Sequence, residues 1–184
     1  MDIQGFHHVA YRCANAKQTV EFYQQVLGMD FQLAMAEDKV PSTGESDPYM
    51  HIFLDAGNGN VLAFFELPQS PDMGSDLNTP KWVQHIAFKV PDMDALVEAK
   101  ERIEGLGIEV LGPIDHTLFK SIYFFDPSGH RLELATNTAQ PGMLEELHRV
   151  APAMLEEWDK TKRAPQHAAW LHDKTKPFNK DTLS

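Results

Sequence analysis

Two histidines, His8 and His85, occupy the same place in two copies of one short pattern. Phe6-His7-His8-Val9-Ala10-Tyr11-Arg12 aligns with Val83-Gln84-His85-Ile86-Ala87-Phe88-Lys89, 77 residues further along the chain. Each copy alternates apolar and polar residues as a half-buried strand does. A module that is duplicated and carries one ligand-type imidazole per copy suggests a metal held between two pseudo-symmetric halves. His7 is the alternative to His8, but the alternation sends it to the opposite face of the strand.

The elements that must position these side chains recur in the same order in both halves. After a first strand over residues 5–12, Asn15 is placed to cap a helix in which Ala16, Val20, Tyr23 and Leu27 recur at helical spacing, and Gly28 stops it. A strand at Met29–Ala36, a loop at Glu37–Pro48 and a hairpin of Tyr49–Asp55 with Asn60–Leu67 complete the first half. Pro68–Pro80, rich in Pro, Asp, Ser and Gly, reads as the linker. The second half repeats the series. A strand spans Trp82–Val90, and a helix from Pro91-Asp92 sets Leu96, Ala99, Ile103 and Leu106 on one face until Gly107. A strand at Ile108–Ile114 follows, then a hairpin of Ser121–Phe125 with Arg131–Thr136 turning at Asp126-Pro127-Ser128-Gly129. The predicted fold class is α+β, two βαβββ modules at 5–67 and 82–136 within a domain spanning 1–137. A helical tail occupies 138–184, in which Leu144, Leu147, Ala151, Met154 and Trp158 form an apolar stripe. Pro152 inside that stripe predicts a kink or the start of a second helix. The stretch with Trp170, His172 and Phe178 is expected to drape over a surface, of this domain or of a partner subunit.

Composition bounds the function. Of 184 residues, 42% are apolar and 23% charged, the range of soluble globular chains. No apolar run approaches the roughly 18–20 residues of a membrane span. A net charge of −11 argues against nucleic acid or an anionic membrane as partner. Met1-Asp2-Ile3-Gln4 lacks the basic start and apolar run of a secretory signal, and the single Cys13 excludes an internal disulfide, so a cytoplasmic location is expected.

Paired βαβββ modules with a histidine in each first strand resemble the vicinal oxygen chelate superfamily, which includes glyoxalase I, fosfomycin and bleomycin resistance proteins and the type I extradiol dioxygenases. The resemblance covers roughly residues 5–136. It implies that each module curls into a half-barrel and that the pair encloses a metal. The ligands it implies are His8 and His85 from the first strands and Glu133 from Gly129-His130-Arg131-Leu132-Glu133-Leu134. The position matching Glu133 in the first module, four residues after Gly59, is Ala63, and Glu66 reaches the site only in a slipped alignment. The fourth ligand typical of glyoxalase I is therefore missing. Two imidazoles and one carboxylate are the donor set of non-haem Fe(II) oxygenases, whose open positions take substrate and O₂. Mn, Zn and Ni are the alternatives, a four-ligand Zn or Ni site fitting less well.

Upstream of Glu133, Ile114-Asp115-His116, five residues, then Ile122-Tyr123-Phe124-Phe125-Asp126-Pro127-Ser128-Gly129-His130-Arg131-Leu132-Glu133 resembles the ring-cleavage signature of extradiol enzymes. The resemblance implies that Tyr123 hydrogen-bonds a catechol hydroxyl and that His116 supports the substrate side. A catechol binding through both oxygens must lose at least one proton, and a phenol and an imidazole can take up or stabilise that charge. The family places a further acid–base histidine about fifteen residues before the second metal histidine. The stretch 70–84 contains none, and His51 is the candidate substitute. The expected function is extradiol-type cleavage of a catecholic, aromatic small molecule with O₂ by a homodimeric Fe(II) enzyme. The alternatives are a glyoxalase-type lyase, isomerase or transferase, and a small-molecule binding or resistance protein of the same fold.

Overall fold

A computed structural model describes residues 1–74, 76–172 and 178. The end of the predicted tail, 173–177 and 179–184, lies outside the described residues. The two modules are both present. The order is β1 (Val9–Cys13), α1 (Ala16–Leu27), β2 (Phe31–Lys39), β3 (Ser46–Asp55), β4 (Val61–Glu66), then β5 (Ile86–Lys89), α2 (Met93–Gly105), β6 (Leu111–Asp115), β7 (Phe119–Phe125) and β8 (Arg131–Asn137). The first sheet has strand order β1-β4-β3-β2 and the second β5-β8-β7-β6, so the duplication extends to topology. By contacts the chain divides into two units, Met1–Phe88 with Phe124–Glu133, and Lys89–Tyr123 with Leu134–Ser184.

In the first unit, the Asn15 side chain accepts a hydrogen bond from the Gln18 amide at 2.8 Å, and Gly28, at φ +67°, closes α1 in the left-handed conformation. Glu66 adds a second cap, its Oε2 accepting from the Ala16 amide at 2.6 Å. Through Tyr23 and Val26, α1 buries one face of the first sheet, where Ile52, Leu54, Leu62 and Phe64 are almost fully enclosed. Each such side chain contributes about 1.5–3 kcal/mol relative to exposure. Register places the alternate residues, His51, Phe53, Ala63, Phe65, Leu33 and Met35, on the opposite face. Leu33 and Met35 there are each 48% exposed.

In the second unit, Asp92 caps α2 by accepting from the Ala95 amide, and Leu96 and Ile103 are buried while Leu106 is not. Gly112, at φ +111°, lies where a β-carbon would sit 2.6 Å from the Ser121 carbonyl oxygen, so β6 and β7 approach closely only with glycine at that position.

The elements depart from the sequence reading in several places. β1 and β5 are shorter than expected, and His8 and His85 each stand one residue before their strand. β2 and β3 extend into the expected loop. Pro48 is accommodated because Glu37 pairs with Tyr49 and Lys39 with Ser46, a bulge that frees it from the ladder. α3 (Met143–Thr161) runs through Pro152 as a single helix instead of starting a second one. A 3₁₀ segment, Gln166–His172, follows and packs against α3. None of the helices in the described residues is long and apolar enough to cross a membrane.

Candidate metal centre

The strongest pairing of predicted ligands is His85 with Glu133. His85 Nε2 lies 3.0 Å from Glu133 Oε2, with the carboxylate side chain only 3% exposed and the imidazole about a third exposed. His85 Nδ1 is 2.9 Å from the Val83 carbonyl oxygen, which can only accept, so the ring proton is assigned to Nδ1. In the neutral ring Nε2 then presents a lone pair towards the carboxylate. An imidazole whose far nitrogen donates to a backbone carbonyl is the arrangement that orients a metal-binding histidine. A cation about 2.1 Å from each atom would see them at about 90°, an angle that suits neighbouring ligands of an octahedral ion. The donor chemistry and spacing of this pair therefore fit a divalent metal.

His8 is engaged elsewhere. Its Nδ1 lies 2.7 Å from that of His7, and its ring meets the edges of His51 and Phe53 with centroids 6.1 and 5.7 Å away. The structure does not bring it to His85 and Glu133. No group of three His, Cys, Asp or Glu side chains converges for a metal among the described residues. Ala63 is fully buried in the first sheet, one residue beyond Leu62, which pairs with Val9. Glu66, in contrast, is committed to the α1 cap.

His51 is the group that sequence reasoning could not place. Its ring stacks on Phe65 at 3.6 Å and leans on Phe53 at 4.1 Å. It is 6% exposed, and its buried Nε2 has no hydrogen-bond partner among the described residues. Burial, and secondarily the charge of His8, holds its pKa below the usual histidine value. It is thus a neutral imidazole with an unused ring nitrogen beside His8. The alternation His51-Ile52-Phe53 already set it on one face with Phe53, but which face was open depended on where α1 packed.

In the second unit, His116 Nε2 and the Tyr123 hydroxyl are 2.8 Å apart, so the two residues of the ring-cleavage signature form a hydrogen-bonded pair. Tyr123 is buried, and the His116 ring also leans on Phe119 at 4.8 Å. The arrangement can pass a proton between phenol and imidazole, with the donor set by the histidine tautomer.

The Glyoxalase/Bleomycin resistance protein/Dioxygenase superfamily model matches residues 5–134. The protein of Bacillus subtilis (strain 168) named "Putative ring-cleaving dioxygenase MhqA" is 29% identical over 146 residues, 77% of this chain. This chain spans only 43% of that protein's length. Lactoylglutathione lyase of Pseudomonas aeruginosa is 29% identical over 147 residues, covering 70% of this chain and 80% of the lyase. The crystal structure of the fosfomycin resistance protein FosX from Listeria monocytogenes, complexed with Mn(II) and sulfate, aligns at a TM-score of 0.51 and 21% identity. It covers 74% of this chain and 95% of FosX, and shows the fold. With the family model spanning most of its length, and both sheets repeating one strand order, the chain belongs to the Glyoxalase/Bleomycin resistance protein/Dioxygenase superfamily.

Proposed function

We propose that this chain is a metal-dependent ring-cleaving dioxygenase of the extradiol type, acting on a catecholic small molecule with Fe(II) bound by His8, His85 and Glu133. The observation that carries the reading is the 2.8 Å contact between His116 and Tyr123, the two residues that distinguish the ring-cleavage signature from motifs shared across the superfamily. The metal, when bound, would supply both a hold on the substrate's paired oxygens and electron transfer to O₂. The chain's own residues do the rest. The Tyr123 hydroxyl hydrogen-bonds a catechol oxygen, and His116 accepts or returns the proton through Tyr123. His51, neutral and with a free ring nitrogen, is the second base, in place of the histidine missing from 70–84.

His8 and the His85–Glu133 pair occupy separate places on the chain, and His8 lies with His51 and Phe53 beside the exposed Leu33 and Met35. In this reading a second copy covers that apolar face and brings its own His85 and Glu133 to His8, giving a homodimer with two shared sites.

The Pseudomonas relative favours a second reading, because the match covers 80% of that lyase against 43% of the Bacillus protein. In it the metal acts only as a Lewis acid on paired oxygens, as in a lyase or transferase. Protein reconstituted with Fe(II) without oxygen and then supplied with catechols in an oxygen electrode separates the two. Uptake of one O₂ per catechol, with a ring-opened yellow product, supports the dioxygenase. Turnover of a paired-oxygen substrate that proceeds equally without O₂ supports the lyase or transferase.

A further inference from the structure

We infer that the C-terminal extension positions His116, and that it does so through one long-range hydrogen bond between the Thr117 hydroxyl and the Leu171 carbonyl. This inference rests on the proposed role of the His116–Tyr123 pair. Thr117 follows His116 directly and has φ +72°, a left-handed conformation that a β-branched residue rarely adopts. Such a conformation persists only where its surroundings over-determine it. Four contacts do so here. The Thr117 amide donates to Asp115 Oδ1 at 2.6 Å, and its carbonyl accepts from Thr138 Oγ1 at 3.3 Å. The Thr138 amide donates to the Leu118 carbonyl at 2.8 Å. The fourth contact is the bond from Thr117 Oγ1 to the Leu171 oxygen at 3.0 Å, which spans 54 residues of sequence.

The first holds the loop to its own strand, and the second and third tie it to Thr138, directly after β8. Of these four contacts only the fourth reaches the helical part of the extension, far beyond the residues matched by the family model. Leu171 lies in the 3₁₀ segment Gln166–His172, which is itself fastened to α3, His167 Nδ1 lying 3.3 Å from Glu157 Oε2. The chain of support therefore runs from α3 through the 3₁₀ segment to Thr117 and then to His116. His116 has its own backbone anchor, donating from its amide to the Phe119 carbonyl at 2.9 Å, which fixes the turn but not the direction of the ring. A tilt of the peptide between His116 and Thr117 swings the imidazole, and a 2.8 Å bond to Tyr123 tolerates little swing. Thr117 is thus a positioning residue, and the extension is a brace for the substrate side of the site.

The test uses full-length, metal-free protein with ¹⁵N-labelled histidine, so that it is independent of turnover. Tyr123→Phe supplies the reference signal of a His116 ring that has lost its partner. Thr117→Val keeps the shape and branching but removes the donor, and Thr117→Gly removes the donor while accepting the left-handed backbone without strain. Both are expected to move the His116 Nε2 resonance towards the Tyr123→Phe position, while Thr117→Ser, which retains the hydroxyl, stays with the unmodified protein. Glycine guards against misfolding of the valine variant. A His116 resonance in the valine and glycine variants that coincides with that of the unmodified protein overturns the inference. With a catechol that the Fe(II) enzyme cleaves, Thr117→Val is expected to lower kcat about tenfold with little change in KM. Absence of any catechol cleavage would count against the dioxygenase reading alone, since the resonances report the brace with or without turnover.

Discussion

The division of the proposed ligand set between two places on the chain makes a quantitative prediction about mixed dimers. His8→Ala and His85→Ala remove one imidazole each, and each variant alone should retain almost no metal because every site in it lacks a ligand. Equal amounts of the two, co-expressed or exchanged, assort at random into dimers of which half are mixed. In the reading above, each site takes His8 from one copy and His85 with Glu133 from the other. Of the two sites in a mixed dimer, one then lacks both imidazoles and the other is complete. Half of the dimers with one intact site in two gives about a quarter of the metal content of the unmodified protein. Elemental analysis of the mixed dimer, isolated with two affinity tags, should therefore give about half occupancy, and the unfractionated mixture about a quarter. Ligands supplied entirely by one chain would leave every site in the mixture incomplete. Mixed dimers isolated by both tags but devoid of metal would refute the shared site, and a chain that remains monomeric at all concentrations would do so sooner.

Other perturbations reach different residues. Tyr123→Phe should leave metal content unchanged while slowing cleavage by about 10²–10⁴-fold, the usual worth of a positioned proton-transfer group; an unaltered kcat would remove Tyr123 from the mechanism. His51→Phe replaces an imidazole packed between Phe53 and Phe65 whose buried Nε2 lacks a partner. Relief of that penalty should stabilise the protein by about 1–3 kcal/mol in urea denaturation and slow turnover together, whereas a loss of stability would show that the nitrogen is satisfied. Burial raises the pKa of Asp126 despite hydrogen bonds from Tyr23 and from the Ser128 and His130 amides. The folded state then holds this proton more tightly than the unfolded one, so Asp126 lowers stability above its raised pKa and the cost disappears as pH falls through that value towards about 3.9. The stability of Asp126→Asn relative to the unmodified protein should accordingly be highest near neutrality and decline with acidification, a trend that parallel denaturation curves would expose or reverse.

Local signals carried most of the fold. Asn15 and Gly28 fixed both ends of α1, and Asp92 the start of α2, because caps act on groups within a turn of themselves. β5 starts at Ile86, later than the alternation predicts, for a physical reason. Alternation continues through 82–85, but Arg131 donates to the Trp82 carbonyl at 2.7 Å and the His85 ring to that of Val83, so side chains take up carbonyls that a longer strand would have used in its ladder. β2 and β3 outran the expected loop because a bulge absorbs Pro48, and bulges leave little trace in composition. The His85–Glu133 and His116–Tyr123 pairs were legible through the family resemblance, the first from its implied ligand set and the second from the ring-cleavage signature, each read from a short local motif. The surroundings of His51 and the tether from Leu171 to Thr117 were not, since both depend on packing between segments far apart in sequence.

The duplication also explains why the two halves make unequal contributions. Both first strands begin directly after a histidine, so the repeat supplies one imidazole per module. The fourth strands differ: Glu133 in β8 is a carboxylate brought within 3.0 Å of His85, while Ala63 in β4 is a fully buried methyl. A glutamate at Ala63 would carry an extra charge into a wall formed with Phe53 and Phe65, at the cost that attends any buried carboxylate. In the proposed reading it would stand at the fourth-ligand position that the family resemblance implies. With alanine there, the three proposed donors would leave an octahedral ion three positions, enough for both oxygens of a catechol and one molecule of O₂. A fourth protein donor would leave two, enough for a paired-oxygen substrate alone. In the proposed site the residue at position 63 therefore sets how many positions stay open, while the choice between the two chemistries falls to the groups around them, because three-donor sites serve both.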